Sequence, residues 1–184
     1  MTTSARYTFT AIRLHWLIAF LIFAAFPIGL YMSDLELSPL KLQLISYHKW
    51  LGVTIFLLAV ARLAWRAKHT PPPLPETMLA WQRTATHAVH HLLYLLIIAI
   101  PLSGWLMSSA KGFQTVYFGV LPLPDLIGKD KALGDILKEV HELLNYGMLG
   151  LVIAHVGAAL KHHFIDRDGI LARMLPFLDK ENTR

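Results

Sequence analysis

Four stretches of the chain, residues 10–32, 42–65, 84–107 and 140–162, are apolar over lengths that neither a strand nor a soluble amphipathic face requires. About 20 mostly apolar residues suffice for a helix to cross the hydrocarbon core of a bilayer. The pattern therefore predicts an all-α integral membrane four-helix bundle, with residues 1–184 forming a single transmembrane domain. From residue 14 to residue 30 the only strongly polar side chain is His15. The second span carries His48, Lys49 and Arg62, and the third contains Pro101, which a membrane helix tolerates when neighbouring groups satisfy the freed carbonyl.

The connections are polar and rich in breakers. Residues 33–41 form a short link with Pro39, and residues 68–81 include Pro71, Pro72, Pro73 and Pro75, which predicts a stiff extended linker. The longest loop, residues 108–138, is broken by Pro122, Pro124, Gly128 and Gly134, with room for a short re-entrant or surface helix. Residues 169–178 are expected to form a small amphipathic helix on the membrane surface. No internal repeat or low-complexity tract stands out.

Composition agrees with a membrane class. The 184 residues are 55% hydrophobic and only 16% charged, with a mean hydropathy of +0.48, whereas soluble domains carry about 25% charged residues. The length excludes a large multidomain enzyme. The chain has no cysteine, which excludes disulfide frameworks, zinc ribbons, iron–sulfur clusters and covalently attached c-type haem. Ten histidines remain as the principal source of metal ligands. The net charge of +5 is not gathered into a basic arm or face, so no nucleic-acid partner is expected. Instead it follows the membrane: Arg6, Arg13, Arg62, Arg66, Lys68, Arg83, Lys161, Arg167, Arg173, Lys180 and Arg184 fall on the side of the two termini. The positive-inside rule puts both termini in the cytoplasm. The first span is too long for a cleaved signal peptide and lacks a clear small-residue cleavage site, so it is expected to be retained.

Ionisable residues inside membrane helices are functional candidates, because their burial needs compensation. His141 and His155 are 14 residues apart in the fourth span, close to four turns, so both rings leave one face about 21 Å apart along the axis. Alternating span directions put His15 at the inner depth with His155, and His48 at the outer depth with His141. Two imidazoles facing across a bundle can clamp a planar macrocycle, and two bis-histidine b haems fit this pattern. A proton path, a zinc-transport site or isolated histidines bonded to neighbouring helices are the alternatives. His87, His90 and His91 open the third span at the same depth as His15 and compete with it as partners of His155. Met148 lies midway on the same stripe and is expected to pack between the tiers, while Gly147, Gly150 and Gly157 reduce bulk nearby. His162 lies seven residues beyond His155 on the same face, where a quinone head group could take up electrons and protons. His163 points elsewhere, and His69 reads as a solvated loop residue.

The His15-Trp16 pair, His48, the His87-x-x-His90 start of the third span, and His141, His155 and His162-His163 in the fourth together resemble the bacterial cytochrome b561 family over nearly the whole chain. The resemblance is close to its superoxide-oxidising branch and more distant to the cytochrome b subunits of nickel-iron hydrogenases and formate dehydrogenases. It implies a multi-pass inner-membrane protein with two non-covalent b haems, His15 and His155 holding the inner iron and His48 and His141 the outer. It also implies ubiquinone as electron acceptor on the cytoplasmic side, with His162 as a contact, and oxidation of superoxide to dioxygen on the periplasmic side. The rival expectation is an electron-transfer subunit that links a separate dehydrogenase or redox protein to the quinone pool. Lys49, Lys111, Lys129 and Lys131 are candidates for steering an anionic radical. Arg13, Arg62 and Lys49 are candidates for pairing with haem propionates, and snorkelling toward lipid phosphate explains them equally well.

Overall fold

The computed structural model describes residues 6–178. Its frame is four helices, α1 (Phe9–Asp34), α2 (Pro39–Lys68), α3 (Ala80–Ala110) and α4 (Lys131–Lys161). All four are long and apolar enough to cross a membrane. At 26 to 31 residues each, they run about 39–46 Å, more than the hydrocarbon core demands. α1 packs along α2, α2 along α3 and α3 along α4, giving two antiparallel hairpins set side by side.

Each helix starts where a polar group takes an otherwise unbonded N–H. The Thr8 hydroxyl accepts from Ala11 N, Ser38 accepts from Lys41 N with Pro39 as the first helical residue, and the Asp130 carboxylate accepts from Leu133 N. At α3 the Gln82 side chain accepts from the N–H of Leu79 at 3.1 Å.

α4 begins nine residues before the apolar span. Its first turns are polar and are held by protein rather than lipid: Asp130 N–H donates to Ala110 O at 2.9 Å, and Lys111 pairs with Asp135 at 3.2 Å. Hydropathy marks the membrane core, and the cap marks the helix, so the two limits differ.

The long loop holds no short helix. It forms a small antiparallel pair, β1 (Val116–Tyr117) and β2 (Leu121–Pro122), with Val116 opposite Pro122 and Tyr117 opposite Leu121. Phe118 and Gly119 both adopt left-handed backbone angles in the turn, φ 50° and 72°, which favours a hairpin over a helical turn. The hairpin is strapped over the end of the bundle. Trp50 Nε1 donates to Val116 O at 2.7 Å, Lys49 Nζ to Phe113 O at 2.8 Å and Trp105 Nε1 to Pro124 O at 3.1 Å. Ser108 Oγ also donates to Phe113 O.

The opposite end is tied through the termini and the proline-rich linker. Trp65 Nε1 donates to Thr8 Oγ1 at 2.8 Å, Trp16 Nε1 to Met174 O at 2.9 Å and Arg173 Nη1 to Pro73 O at 2.6 Å. Arg83 caps the linker by donating to the carbonyls of Pro75, Glu76 and Met78. The expected surface helix at 169–178 is instead two short 3-10 turns, Leu171–Arg173 and Pro176–Leu178. Left-handed Gly169 and the missing N–H of Pro176 prevent a continuous helix there. Lys180 and Arg184, counted above for orientation, lie outside the described residues.

Candidate functional site

The four helices bring the histidines together in two tiers. On the side of the loop hairpin, the rings of His48 and His141 meet edge-on with centroids 6.2 Å apart and planes at 85°. On the side of the termini, His15 and His155 are 6.3 Å apart at 67°. Among the described residues Met148 is one of the few buried apolar side chains, 6% exposed, and it lies midway between His141 and His155 in sequence.

The loop-side rings are held alike. His48 Nδ1 lies 3.1 Å from Ala25 O in α1, and His141 Nδ1 lies 3.1 Å from Ile100 O in α3. A carbonyl only accepts, so each Nδ1 carries the proton and each Nε2 keeps its lone pair. His141 has a second partner, the hydroxyl of buried Ser103 at 2.9 Å, and Ser103 itself donates to Ile100 O at 2.8 Å.

The termini-side tier is less regular. Arg62 Nη1 donates to His15 Nδ1 at 2.8 Å, and Arg62 Nε donates to Tyr94 OH at 3.3 Å. A third ring belongs to this tier. His90, whose Nδ1 donates to Thr86 O at 2.6 Å, has its centroid 5.1 Å from that of His155. His87 and His91 stay outside this cluster, with His91 Nδ1 donating to His87 O at 2.7 Å.

Beyond His155 the helix widens into a π-helical turn, His162–Asp166, a form common where a helix serves a site. His162 Nδ1 lies 2.6 Å from Asp168 Oδ2 and 3.1 Å from Asp166 Oδ2. These three side chains line a cavity of about 310 Å³ with Thr77, Met78, Leu79 and Gln82. The two carboxylates were missed from sequence, although an aspartate four and six residues after a histidine was the available signal. Lys161 pairs with Asp166 at 2.5 Å, so Asp168 is the carboxylate most fully committed to His162.

Other candidates are used locally. His69 is exposed just past the end of α2, as expected, and its ring stacks on Trp65 at 4.0 Å and 11° while its Nδ1 donates to Trp65 O. His163 sits edge-on to Phe164 at 4.7 Å. Arg13 covers the Phe9 ring at 4.0 Å. Of the lysines on the side of the loop hairpin, Lys49 is bonded to Phe113 O, Lys111 to Asp135, and the Lys129 stem lies over Gly112.

Opposed imidazole pairs inside four apolar helices define a multi-pass α-helical membrane protein of the electron-transfer class. The chain matches the family model described as prokaryotic cytochrome b561 over residues 6–177, and it belongs to that family. It is 35% identical over 175 residues to cytochrome b561 homolog 2 of Escherichia coli (strain K12), covering 94% of this chain and 93% of that one. It is 30% identical over 177 residues to cytochrome b561 homolog 1 of the same organism, with 93% and 97% covered. A protein of Yersinia pestis named probable superoxide oxidase CybB is 30% identical over 184 residues, with 93% and 96% covered.

The family implies haem b, and the side chains fit it. Two imidazole–metal bonds of about 2 Å in line, with the offset of each nitrogen from its ring centre, put coaxial ring centroids about 6 Å apart. The His48–His141 and His15–His155 pairs both meet that spacing, at 6.2 and 6.3 Å, whereas His90–His155 at 5.1 Å is too close. At His48 and His141, an Nδ1–H fixed by a carbonyl acceptor is also the donor form that a metal needs at Nε2, whereas His15, whose Nδ1 accepts from Arg62, is not held in that form.

Proposed function

We propose that this membrane cytochrome carries two b haems and passes electrons from superoxide on the periplasmic side to ubiquinone on the cytoplasmic side. The observation that carries the reading is the near-identical separation of two imidazole pairs, 6.2 and 6.3 Å, at opposite ends of one bundle. His48 and His141 would hold the outer iron, and His15 and His155 the inner. When bound, the haems supply reversible one-electron chemistry at iron.

The surrounding residues position and tune. Ala25 O, Ile100 O and Ser103 orient the outer imidazoles and raise their basicity. Arg62 places a cation beside His15, where it opposes positive charge in that tier. In the cavity at the end of α4, Asp168 fixes the His162 proton on Nδ1, which leaves Nε2 to exchange a proton with a quinone oxygen. The overall reaction balances: two superoxide anions each lose one electron and become dioxygen, and one quinone takes two electrons and two protons to become quinol.

Support for the orientation comes from charge, since Arg62, Arg66, Lys68, Arg83, Lys161, Arg167 and Arg173 all fall on the side of the termini. The name of the Yersinia pestis relative supports superoxide as the donor. The test is made on purified protein in detergent with a ubiquinone analogue. Superoxide should reduce the haems, and then the quinone, faster than it dismutates spontaneously. Haems that stay oxidised under superoxide but are reduced by a soluble dehydrogenase or redox protein would replace this reading with that of an electron-transfer subunit.

A further inference from the structure

The four helices share one spacing of residues, although no internal repeat stands out in the sequence. His15 and Gly29 in α1, His48 and Arg62 in α2, His90 and Gly104 in α3, and His141 and His155 in α4 are each separated by 14 residues. Four turns apart, each pair puts one member in each tier. The loop-side tier therefore contains two histidines, one from the second helix of each hairpin, and two glycines, one from the first.

The glycines touch those histidines. A Cβ placed on Gly29 would lie 3.0 Å from His48 Cε1 and 3.4 Å from Nδ1, and one on Gly104 would lie 3.0 Å from His141 Cε1 and 3.3 Å from Nδ1. The carbonyls that accept from these rings belong to Ala25 and Ile100. Each stands four residues before its glycine, so it is also the acceptor of that glycine's own N–H in the helical pattern. A ring that shares this carbonyl must lie across the glycine Cα. Small residues in membrane helices commonly let two backbones approach, but here the space that a methyl group would fill is occupied by imidazole.

We propose that Gly29 and Gly104 are positioning residues for the outer haem: each lets its histidine reach a helix carbonyl and thereby fixes the direction of the liganding nitrogen. The proposal rests on the assignment of His48 and His141 as the outer ligands. At 3.0 Å a new methyl group displaces the ring by a few tenths of an ångström, which lengthens a 3.1 Å hydrogen bond or tilts Nε2 away from iron. Loss of such supporting contacts costs on the order of 10-fold in metal affinity.

The inner tier has no equivalent glycine contact and serves as an internal control in the same molecule. Gly29→Ala and Gly104→Ala are made separately in the full chain, and the purified holoproteins are compared by haem content, redox titration and the low-spin ferric electron paramagnetic resonance signals. Each variant should release outer haem about 10-fold more readily, or keep it with a shifted potential and signal, while the inner signal stays as in the parent. Unchanged outer signals in both variants would overturn the proposal. So would equal loss of both haems or failure to accumulate in both variants, since that marks general helix packing. A single haem in the parent protein would instead overturn the two-haem assignment beneath it.

Discussion

Replacing Ser103 by alanine removes one of the two acceptors that face His141 Nδ1, leaving Ile100 O at 3.1 Å to hold the proton. No buried donor is orphaned, so the variant should fold and keep both haems. The hydroxyl stands 2.9 Å from Nδ1 and is 6% exposed as a residue, so water does not replace it readily. A hydrogen bond of this kind contributes about 0.5–1.5 kcal/mol. If that energy favours the ferric form, it corresponds to roughly 20–65 mV at about 59 mV and 1.36 kcal/mol per tenfold change for one electron. The sign follows from basicity: an acceptor at Nδ1–H makes the imidazole a stronger donor to iron and favours the oxidised state. Ser103→Ala should therefore raise the outer potential, toward the lower half of that range because Ile100 O, freed of the serine, binds Nδ1–H better. Redox titration followed at the alpha band separates the two haems. An outer potential that is unchanged or lower, or an equal shift of the inner haem, would rule out the Ser103 contact as a tuner of the outer potential.

Two other substitutions probe the remaining tier and the cavity. His15→Ala should lose the inner haem while His90→Ala keeps it, because only the His15–His155 separation of 6.3 Å suits a shared iron; absorption spectra and haem content read the outcome, and the reverse result would reassign the ligand. Asp168→Asn keeps the shape of the carboxylate but removes its charge from His162 Nδ1, and steady-state assay should show quinone reduction slowed by about 10²-fold or more, with both haems retained. Parent rates in that variant would remove Asp168 from proton delivery.

Much of the architecture was legible because the bilayer imposes a one-dimensional requirement. Four long apolar runs announce four helices, and their alternating direction was enough to pair His48 with His141 by depth and to put His15 at the depth of His155, but not to choose between His15 and His87, His90 or His91 as its partner. What hydropathy could not register was structure held by protein contacts beyond the lipid. The early start of α4 depends on Asp130 and on Lys111 meeting Asp135, and the loop hairpin depends on Phe118 and Gly119 turning left-handed under Trp50. Site chemistry was hidden for a different reason. Arg62 read equally well as a propionate partner or a snorkelling cation, yet it bonds to His15, 47 residues away in sequence. The contacts of Gly29 and Gly104 with imidazoles exist only once two helices are packed. Their 14-residue register was visible, but it has no meaning until the partners are known.

The proposal that two imidazole pairs in one chain each hold an iron porphyrin fixes the haem content of the protein. Its most direct test is the haem-to-protein ratio of the purified membrane protein by the pyridine haemochrome method, with protein determined by amino-acid analysis. Two occupied pairs require a ratio near two haem b per chain. A ratio near one would contradict the proposal by leaving one of the two histidine pairs without a metal, and a colourless preparation grown with ample haem supply would contradict it entirely.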